Sequence, residues 1–344
     1  MFNDNLRDGR ENKVVQGSGS DTERKVISIL KVLSESSEPL GSITIARELE
    51  RYGIFLSERA IRYHLRITDE RGYTHPMGRD GRMLTPQGVE ELRMALAPDQ
   101  VGFILDKLEL LAFRTTFNPV DKSGLVPINT SLFEASQFEK ALVIMKDVVK
   151  VGLSVSDLVI TAREGEKIGS VVVPPGKIGL GTVCSVVVNG VLLKAGIPIE
   201  SRFGGVLEIR NNKPRRFVAL ISYSGTSMDP SEQYIRARMT AVNEAAHTGS
   251  GKILANFREI PAPARSLVDE KLEQLKAVGF HGVYLLGNTS EPICQIAVGL
   301  NRVGLVMLGG LNPVSATVEA GLDVENMAES GLVEYGQLKS IQSI

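Results

Sequence analysis

Residues 42–85 constrain the fold of this chain more than any other stretch, because their pattern predicts two helices and a hairpin in close succession. Apolar side chains at helical spacing predict one helix over residues 42–51 and another over residues 57–71. Ser57 is a favoured N-cap residue, since its hydroxyl can accept a hydrogen bond from an amide of the first turn. Two short strands, 73–77 and 82–84, then flank a glycine-rich turn typical of a tight hairpin.

Further helices are predicted on either side of this stretch. Residues 21–34 carry an apolar stripe, and Thr85-Pro86 is typical of a helix start. A winged helix-turn-helix consists, in chain order, of one helix, a pair of helices and a hairpin with a basic tip. Its recognition helix enters the DNA major groove. We therefore expect a winged helix-turn-helix DNA-binding domain over residues 21–97.

The helix predicted over residues 57–71 carries a cationic face. Between residues 51 and 82 the sequence contains seven arginines, four acidic residues and no lysine. A guanidinium can bridge two acceptors on a guanine edge or bind a phosphate, whereas an ordinary solvated face would be expected to use lysine as well. The predicted contacts to double-stranded DNA are Arg59, Arg62, Tyr63, Arg66, Arg79 and Arg82.

Composition limits the classes of protein that fit this sequence. Its 344 residues suffice for about two or three domains, and a formal net charge of −1 confines any DNA contact to a local patch. No apolar run is long enough to cross a bilayer, so no membrane partner is expected. Residues 1–20 are polar and lack a signal-peptide core, which predicts a disordered tail and a cytoplasmic protein. Two cysteines, Cys184 and Cys294, do not indicate a disulfide framework.

The remainder of the chain predicts a helix, a linker and a large second domain. Residues 98–114 form a long apolar helix that could pack on the winged domain or mediate dimerisation, and residues 118–129 form an extended connector. Residues 98–129 are therefore expected to be a helix and linker. From residue 130 to 344, β-branched runs alternate with helices, which predicts a mixed α/β regulatory domain and an α/β fold class overall.

Individual elements of this domain follow from its apolar patterns. Strands are predicted over residues 158–161, 170–173, 206–209, 217–222, 253–257, 283–286 and 305–308. Helices are predicted over residues 133–151, 184–194, 231–246, 265–278 and 292–300. Cys184 and Cys294 each stand near the start of a predicted helix, with glycine and proline following. An internal duplication and a chance similarity both remain open.

Residue patterns of most metal and cofactor sites are missing from the sequence. The four histidines lack metal-ligand spacing, and no nucleophile elbow is present. Two glycine-rich segments, residues 176–181 and 248–252, depart from nucleotide-binding motifs and are interpreted as turns. Neither a metal nor a cofactor is expected.

Three predicted helix starts follow small hydroxyl residues, and this arrangement favours an anion-binding site. Exposed amides at a helix N-terminus suit a carboxylate or phosphate, and Arg202 could provide a second contact for a dicarboxylate. A cysteine in a first turn can also have a lowered thiol pKa. The predicted ligand-binding residues are Thr182, Cys184, Ser185, Arg202, Ser224, Gly225, Thr226, Ser227, Asn288, Thr289, Ser290 and Cys294.

These turns leave two classes of function open. One is a small-anion sensor joined to a DNA-binding head, which has no catalytic residues. The alternative is an enzyme with a fused winged helix that acts on a small carboxylated or phosphorylated metabolite, with Cys184 or Cys294 as nucleophile. No base is recognisable near either cysteine, which favours the sensor.

From about residue 21 to its C-terminus, the chain resembles the NrpR nitrogen-regulation repressors of methanogenic archaea. The matching segments are ERKVISILKVLSES, the recognition-helix region, GKIGLGTVCS, SGTSMDP, GKILANFREIPAPA and GNTSEPICQIA. The resemblance implies a repressor of nitrogen-assimilation genes that binds a palindromic operator as a homodimer and is released by 2-oxoglutarate. Some family members carry two regulatory domains, but this chain has room for one. Whether a second polypeptide that carries a regulatory domain is needed as a partner is therefore left open.

Overall fold

A computed structural model describes residues 18–36, 38–51, 53–95 and 102–344 of the chain. The chain divides into two compact units, residues 1–99 and 100–344. The predicted disordered tail lies outside the described residues as far as residue 17, whereas residues 18–20 already belong to the first helix. No helix within the described ranges combines the length and the apolar composition needed to cross a membrane.

The first unit is a winged helix, as predicted. Its elements in the described ranges are α1 (Ser18–Ser34), α2 (Ser42–Arg51), α3 (Glu58–Glu70), β1 (Thr74–Pro76), β2 (Arg82–Leu84) and α4 (Pro86–Ala95). The apolar faces of the first three helices form one core, whose fully buried members include Ile29, Ile45, Leu49, Ile61 and Leu65. The helical periodicity of these residues in the sequence explains this packing.

The hairpin of β1 and β2 carries an additional pairing that the sequence did not predict. Thr74 pairs with Leu84 across the hairpin. Leu40 exchanges two backbone hydrogen bonds of 3.1 and 3.0 Å with Arg82 and so extends the hairpin to a third strand position. Gly81 has a φ of +120°, and a Cβ there would lie 2.2 Å from the Leu40 carbonyl carbon, so this close approach requires glycine.

The second unit is a mixed α/β domain, which confirms the predicted fold class. Its elements are α5 (Phe103–Arg114), β3 (Leu125–Glu134), α6 (Phe138–Lys150), β4 (Leu158–Ala162), β5 (Lys167–Ile168), β6 (Val171–Val172), β7 (Lys177–Val183), α7 (Val186–Lys194), β8 (Glu200–Arg210), β9 (Lys213–Ser222), α8 (Pro230–Arg236), α9 (Val242–Thr248), β10 (Gly251–Pro261), α10 (Arg265–Lys276), β11 (Val283–Thr289), β12 (Arg302–Leu308), α11 (Asn312–Glu319), β13 (Val324–Glu334) and β14 (Lys339–Ser340). Two antiparallel sheets have the orders β13-β3-β7-β4-β14 and β11-β12-β10-β8-β9. The short strands β5 and β6 form a separate hairpin.

The two sheets are built alike, which indicates an internal duplication. Apart from the β5–β6 hairpin, residues 125–210 and 251–334 each follow the order strand, helix, two strands, helix, strand. The order β13-β3-β7-β4 in one sheet corresponds to β8-β10-β12-β11 in the other. The last strand of each half therefore joins the sheet of the other half. The helices agree with this relation, since α6 packs on α11 and α10 packs on α7.

The internal repeat considered around the two cysteines matches the wrong residues of the two halves. Since β7 corresponds to β12, Cys184 corresponds to Gly309 rather than to Cys294. The repeated sequence lies instead at the ends of α7 and α11, where Ala-Gly-Ile at 195–197 matches Ala-Gly-Leu at 320–322. The glycine has a positive φ in both copies, as is common where a helix ends.

Three helix predictions in this unit are wrong in part or in full. Residues 292–300 form a turn, because Cys294 and Gln295 have φ values of 48° and 66° that interrupt a helix. The helix predicted over residues 231–246 is divided into α8 and α9, with Arg238 at a φ of 52° between them. The helix predicted from residue 133 begins at Phe138, since β3 extends to Glu134.

Besides the two-residue strands β5 and β14, three longer strands were missed. β3 occupies much of the predicted connector, and nothing predicted β13. In β7, Gly179 and Gly181 were interpreted as turn residues, but they make room for close packing. A Cβ on Gly181 would lie 2.6 Å from the Ile160 side chain of the neighbouring strand. These glycines therefore belong to the sheet.

α5 belongs to the second unit and is not part of a linker. Residues 96–101, where the helix was predicted to start, lie outside the described residues, and α5 begins at Phe103. Its buried face, which includes Ile104 and Leu108, packs with Val186 and Tyr223 of the same unit. The predicted helix and linker over residues 98–129 therefore do not form a separate segment, while the two roles considered for this helix, packing on the winged domain and dimerisation, stay predictions.

Candidate functional site

α3 has one apolar and one cationic face. The helix begins as Ser57 predicts, because the Ser57 hydroxyl accepts a hydrogen bond from the Ala60 amide at 3.3 Å. Ile61 and Leu65 are fully buried against the core. The opposite face is exposed and carries four of the predicted DNA-binding residues, Arg59, Arg62, Tyr63 and Arg66.

The arginines of this face differ in their partners. Arg59 and Arg66 make no ion pair within the part of the chain that the structure describes. Arg62 pairs with Glu58 one turn earlier, and its Nε donates a hydrogen bond to the Ser42 hydroxyl at 3.4 Å. The hydrogen bond from Ser42, followed by Arg62, lowers the pKa of Glu58. Arg59 and Arg66 are thus the guanidinium groups most available to an external anion.

The two predicted arginines of the hairpin have different surroundings. Arg79 is exposed at the tip and forms no ion pair with any described residue. The Arg82 Nε lies 2.8 Å from an oxygen of Asp69, and Asp69 also accepts a hydrogen bond from the Thr74 hydroxyl at 2.6 Å. Arg82 therefore fixes the hairpin to the end of α3. Its role as a DNA contact stays a prediction.

A group of polar side chains is buried in the second unit where its two halves meet. Asn129 and Asn256 hold equivalent positions, since each stands five residues before the end of its strand, β3 or β10. Tyr223 donates a hydrogen bond of 2.7 Å to Asn256, and Asn256 donates one of 3.1 Å to Ser185. We call this group the buried polar cluster, comprising Asn129, Ser185, Asn189, Tyr223, Asp229, Asn256, Arg258 and Glu329.

Arg258 is the central charge of this cluster and has no exposed surface. Its Nη1 donates hydrogen bonds to the Asn189 side chain and, at 3.3 Å, to the Ser185 carbonyl, while its Nη2 donates to the Ser185 hydroxyl at 3.1 Å. Its Nε has no hydrogen-bond partner, and no carboxylate of the described residues forms an ion pair with it. Burial lowers the pKa of Arg258. A buried guanidinium with a free N–H is a candidate contact for an anion.

Two carboxyl groups of the cluster are also buried. Burial, and then the charge of Asp229, raises the pKa of Glu329 to about 8, while burial raises the pKa of Asp229 to about 6. Glu329 Oε2 makes no hydrogen bond and lies 3.9 Å from Lys107 Nζ. A shift in this direction favours the protonated form of Glu329, which can donate a hydrogen bond.

The space inside the cluster is small. A cavity of about 20 Å³ lies among these side chains. A single water needs roughly 10–15 Å³ of such a cavity, so a metabolite does not fit unless the side chains move. No group of three or more metal-ligating side chains was found among the residues that the structure describes.

Three of the predicted ligand-binding residues adjoin the cluster. Thr182 accepts a hydrogen bond of 3.4 Å from Asn129, and Ser185 belongs to the cluster itself. Cys184 is only 5% exposed, and burial raises the pKa of its thiol to about 12. Burial also raises the pKa of Cys294. The predicted lowered thiol pKa is therefore wrong for both cysteines.

Arg202 lies apart from the buried polar cluster. Its Nη1 is 2.9 Å from Glu259, and its Nε is 3.6 Å from Glu200. Successive side chains of a strand point to opposite faces of the sheet. Glu259 and its partner Arg202 therefore lie on the face opposite Arg258. Arg202 is thus occupied by two carboxylates and does not join the predicted site.

Two of the three predicted helix starts are not helix starts. Residues 224–227 lie in a turn ahead of α8, which begins at Pro230 and is capped by Asp229. Residues 288–290 lie at the end of β11, where the Ser290 hydroxyl accepts a hydrogen bond from the Asn301 amide at 2.9 Å. Of the three segments, only the one that contains Cys184 and Ser185 leads directly into a helix, α7. A ligand role for the other residues stays a prediction.

Sequence reasoning missed the most buried charges. Asn256 did carry a signal, because it interrupts the apolar run of the strand predicted over residues 253–257, and Arg258 directly follows that run. Asn129 and Glu329 carried none, since β3 was interpreted as a connector and β13 was not predicted. Lys107 was assigned to a linker helix, although it donates a 2.8 Å hydrogen bond to the Ala328 carbonyl.

Comparisons with known proteins agree with this two-unit organisation. Residues 101–340 match the family described as NrpR regulatory domains NRD1 and 2, and residues 27–92 match the ribonuclease R winged-helix domain. The crystal structure of a nitrogen repressor-like protein from Methanococcus jannaschii is similar with a TM-score of 0.60 at 27% identity, over 69% of this chain and 98% of that one.

Two curated relatives extend the comparison along the chain. The global nitrogen regulator NrpRI of Methanosarcina mazei is 42% identical over 319 residues, which cover 93% of this chain and 98% of that protein. The global nitrogen regulator NrpR of Methanocaldococcus jannaschii is 32% identical over 325 residues, covering 94% of this chain but only 56% of its own length. With a family match over most of its length and a full-length relative of this similarity, the chain belongs to the NrpR family.

Proposed function

We propose that this chain is a transcriptional repressor of nitrogen-assimilation genes that binds a palindromic operator as a homodimer and is released by 2-oxoglutarate. The observation that carries the proposal is the exposed face of α3, where Arg59 and Arg66 lack ion-pair partners within the described ranges. This face stands on a winged helix in the same chain as an NrpR regulatory unit. The names of the curated relatives support the nitrogen-regulatory role.

The DNA-binding part of the proposal follows from the position of α3. In winged helices the recognition helix enters the major groove, where arginine can form two hydrogen bonds with guanine. A dimer would place two such helices on half-sites about one helical turn, roughly 34–36 Å, apart. Arg79, which is exposed at the hairpin tip, would contact the adjacent phosphates.

The effector part of the proposal requires two states of the dimer. 2-Oxoglutarate carries two carboxylates, which suits the cationic side chains of the regulatory unit. A tenfold loss of operator affinity requires the ligand to favour the non-binding state by about 1.4 kcal/mol. The buried polar cluster beside Cys184 and Ser185 is one place where such a ligand could act.

A catalytic role has less support than a regulatory one. The enzyme alternative needs Cys184 or Cys294 as a thiolate nucleophile, but burial raises the pKa of both thiols. We therefore propose a regulator that binds its ligand without converting it. Incubation of the purified protein with 2-oxoglutarate should return the ligand unchanged.

Fluorescence anisotropy with a duplex from the protein's own upstream region tests the proposal. We expect binding at low ionic strength and release by millimolar 2-oxoglutarate. Failure to bind this duplex would reject the repressor function, and an operator affinity that ignores 2-oxoglutarate would reject the effector. Release that appears only after a second regulatory-domain polypeptide is added would identify that polypeptide as a required partner. The Arg59→Ala/Arg66→Ala variant should lose binding, while Arg163→Ala, an exposed arginine of the second unit, should keep it.

A further inference from the structure

A groove of about 360 Å³ lies on the second unit beside the buried polar cluster. Its walls are α5, the turn between β5 and β6, and the irregular part of β13. This volume is within the range of small-molecule sites, roughly 300–1,000 Å³. Glu329 lines both the groove and the small cavity, so its side chain separates the two.

The floor of the groove is fixed by close backbone packing. A Cβ on Gly331 would lie 3.0 Å from the Gly169 Cα, so β13 and the turn between β5 and β6 approach as closely as glycine allows. The Ser170 hydroxyl donates a hydrogen bond of 2.6 Å to the Ser330 carbonyl across the same contact. The register of β13 shifts between Met327 and Gly331, which places Glu329 in a bulge with a φ of 53°. Bulges of this kind commonly redirect a side chain next to a functional site.

The charges that line the groove are mainly positive. Lys107 and Arg114 are seven residues apart on α5, so they lie on the same face, about 10 Å apart along the helix axis. Arg114 is exposed and forms no ion pair in the described chain. Glu329 is the one acidic residue among the described residues that line the groove. Burial raises the pKa of Glu329 and so opposes its negative charge.

An unpartnered buried group points to a ligand at the Lys107 end. Glu329 Oε2 is buried and makes no hydrogen bond, and the nearby Lys107 Nζ lies 3.9 Å away, beyond hydrogen-bond distance. A carboxylate placed between these groups could accept a hydrogen bond from each. Arg114 would then remain for a second negative group, since its flexible side chain can shorten the distance along the helix.

We propose that this groove binds a small dicarboxylate, with one carboxylate between Lys107 and Glu329 and the other at Arg114. The identity of the ligand as 2-oxoglutarate rests on the proposed function. α5 is the first helix of the regulatory unit after α4 of the winged helix, with residues 96–102 between them. A ligand in the groove therefore contacts the segment that leads to the DNA-binding unit.

Calorimetric titration of the full chain with 2-oxoglutarate at pH 7 tests the site. Lys107→Met and Arg114→Met should each weaken binding at least about tenfold, as expected for the loss of a charge-assisted hydrogen bond. Lys140→Met and Arg163→Met remove exposed cations elsewhere and should bind like the wild type. Pyruvate, which has a single carboxylate, should bind much more weakly than 2-oxoglutarate.

The outcomes of this titration distinguish a failure of the groove proposal from a failure of the proposed function. If the wild type binds 2-oxoglutarate and both groove variants bind equally well, the groove is not the site, while release by 2-oxoglutarate still stands. If the wild type does not bind 2-oxoglutarate at all, both proposals fail. Equal affinity for pyruvate would overturn the dicarboxylate assignment. Arg114 makes no ion pair in the described chain, so Arg114→Met should keep the wild-type melting temperature and report on binding alone.

Discussion

The charged residues of this chain occupy two very different surroundings. Arg59 and Arg66 are exposed to water on α3, where each guanidinium is available to a partner. Arg258 and Glu329 lie inside the second unit, where burial opposes charge on each of them. Buried polar groups cost stability unless they are paired, so their retention in a core is a sign of function or of conformational specificity.

Glu329→Gln should remove a pH dependence of stability. The pKa of Glu329 rises from 4.5 to about 8 on folding, so between these values the folded state keeps a proton that the unfolded state has lost. The free energy of unfolding of the wild type should therefore fall as the pH rises from about 5 to 8. Urea denaturation across this range should show a smaller decline for Glu329→Gln. Glu139→Gln, an exposed control, should decline like the wild type, and an equal decline in Glu329→Gln would contradict the assignment.

Arg66→Ala should weaken operator binding without loss of stability. An arginine that contacts a base contributes about 1–3 kcal/mol, and its removal relaxes the sequence preference at that position. Arg66 makes no ion pair with the described residues, so the melting temperature should not change. Anisotropy with the operator and with single-base variants measures both effects. An unchanged affinity would remove Arg66 from the DNA interface.

At the scale of elements, sequence reasoning succeeded where local patterns decide the structure. Helical periodicity and the Ser57 cap predicted α3, and the glycine-rich turn predicted the hairpin. It failed where tertiary packing decides. The glycines of β7 are strand residues because neighbouring side chains fill the space above them. The turn at Cys294 depends on two positive φ values that no local pattern required. The buried polar cluster was missed because residues from distant strands form it.

Substitutions of the two hairpin arginines should differ in their effects on stability and on DNA binding. Arg82→Ala removes the ion pair with Asp69 at the end of α3, so both the melting temperature and operator affinity should fall. Arg79→Ala should leave the melting temperature unchanged, because Arg79 has no ion-pair partner among the described residues. If Arg79 contacts a phosphate, its removal should reduce the slope of log affinity against log salt by about one. An unchanged slope would show that the hairpin tip does not touch the DNA backbone.

At the scale of the whole molecule, the proposed homodimer would fix the spacing of its operator. Two recognition helices on one face of the duplex require half-sites separated by about one helical turn, 10–10.5 bp. Insertion of about 5 bp between the half-sites places them on opposite faces and should abolish tight binding. A spacer of the original length with a changed sequence serves as the control. Equal affinity for the two spacers would contradict binding as a symmetric dimer.

The exchange of β8 and β13 between the two sheets has a consequence for how the regulatory unit can be divided. A polypeptide cut in the turn before β10 would yield two pieces, and each would lack two strands of its own sheet, β13 and β14 in the first piece and β8 and β9 in the second. Expressed separately, the pieces should be insoluble or unfolded; expressed together, they should recover the native fold. The interlocked strands therefore make the two halves a single folding unit.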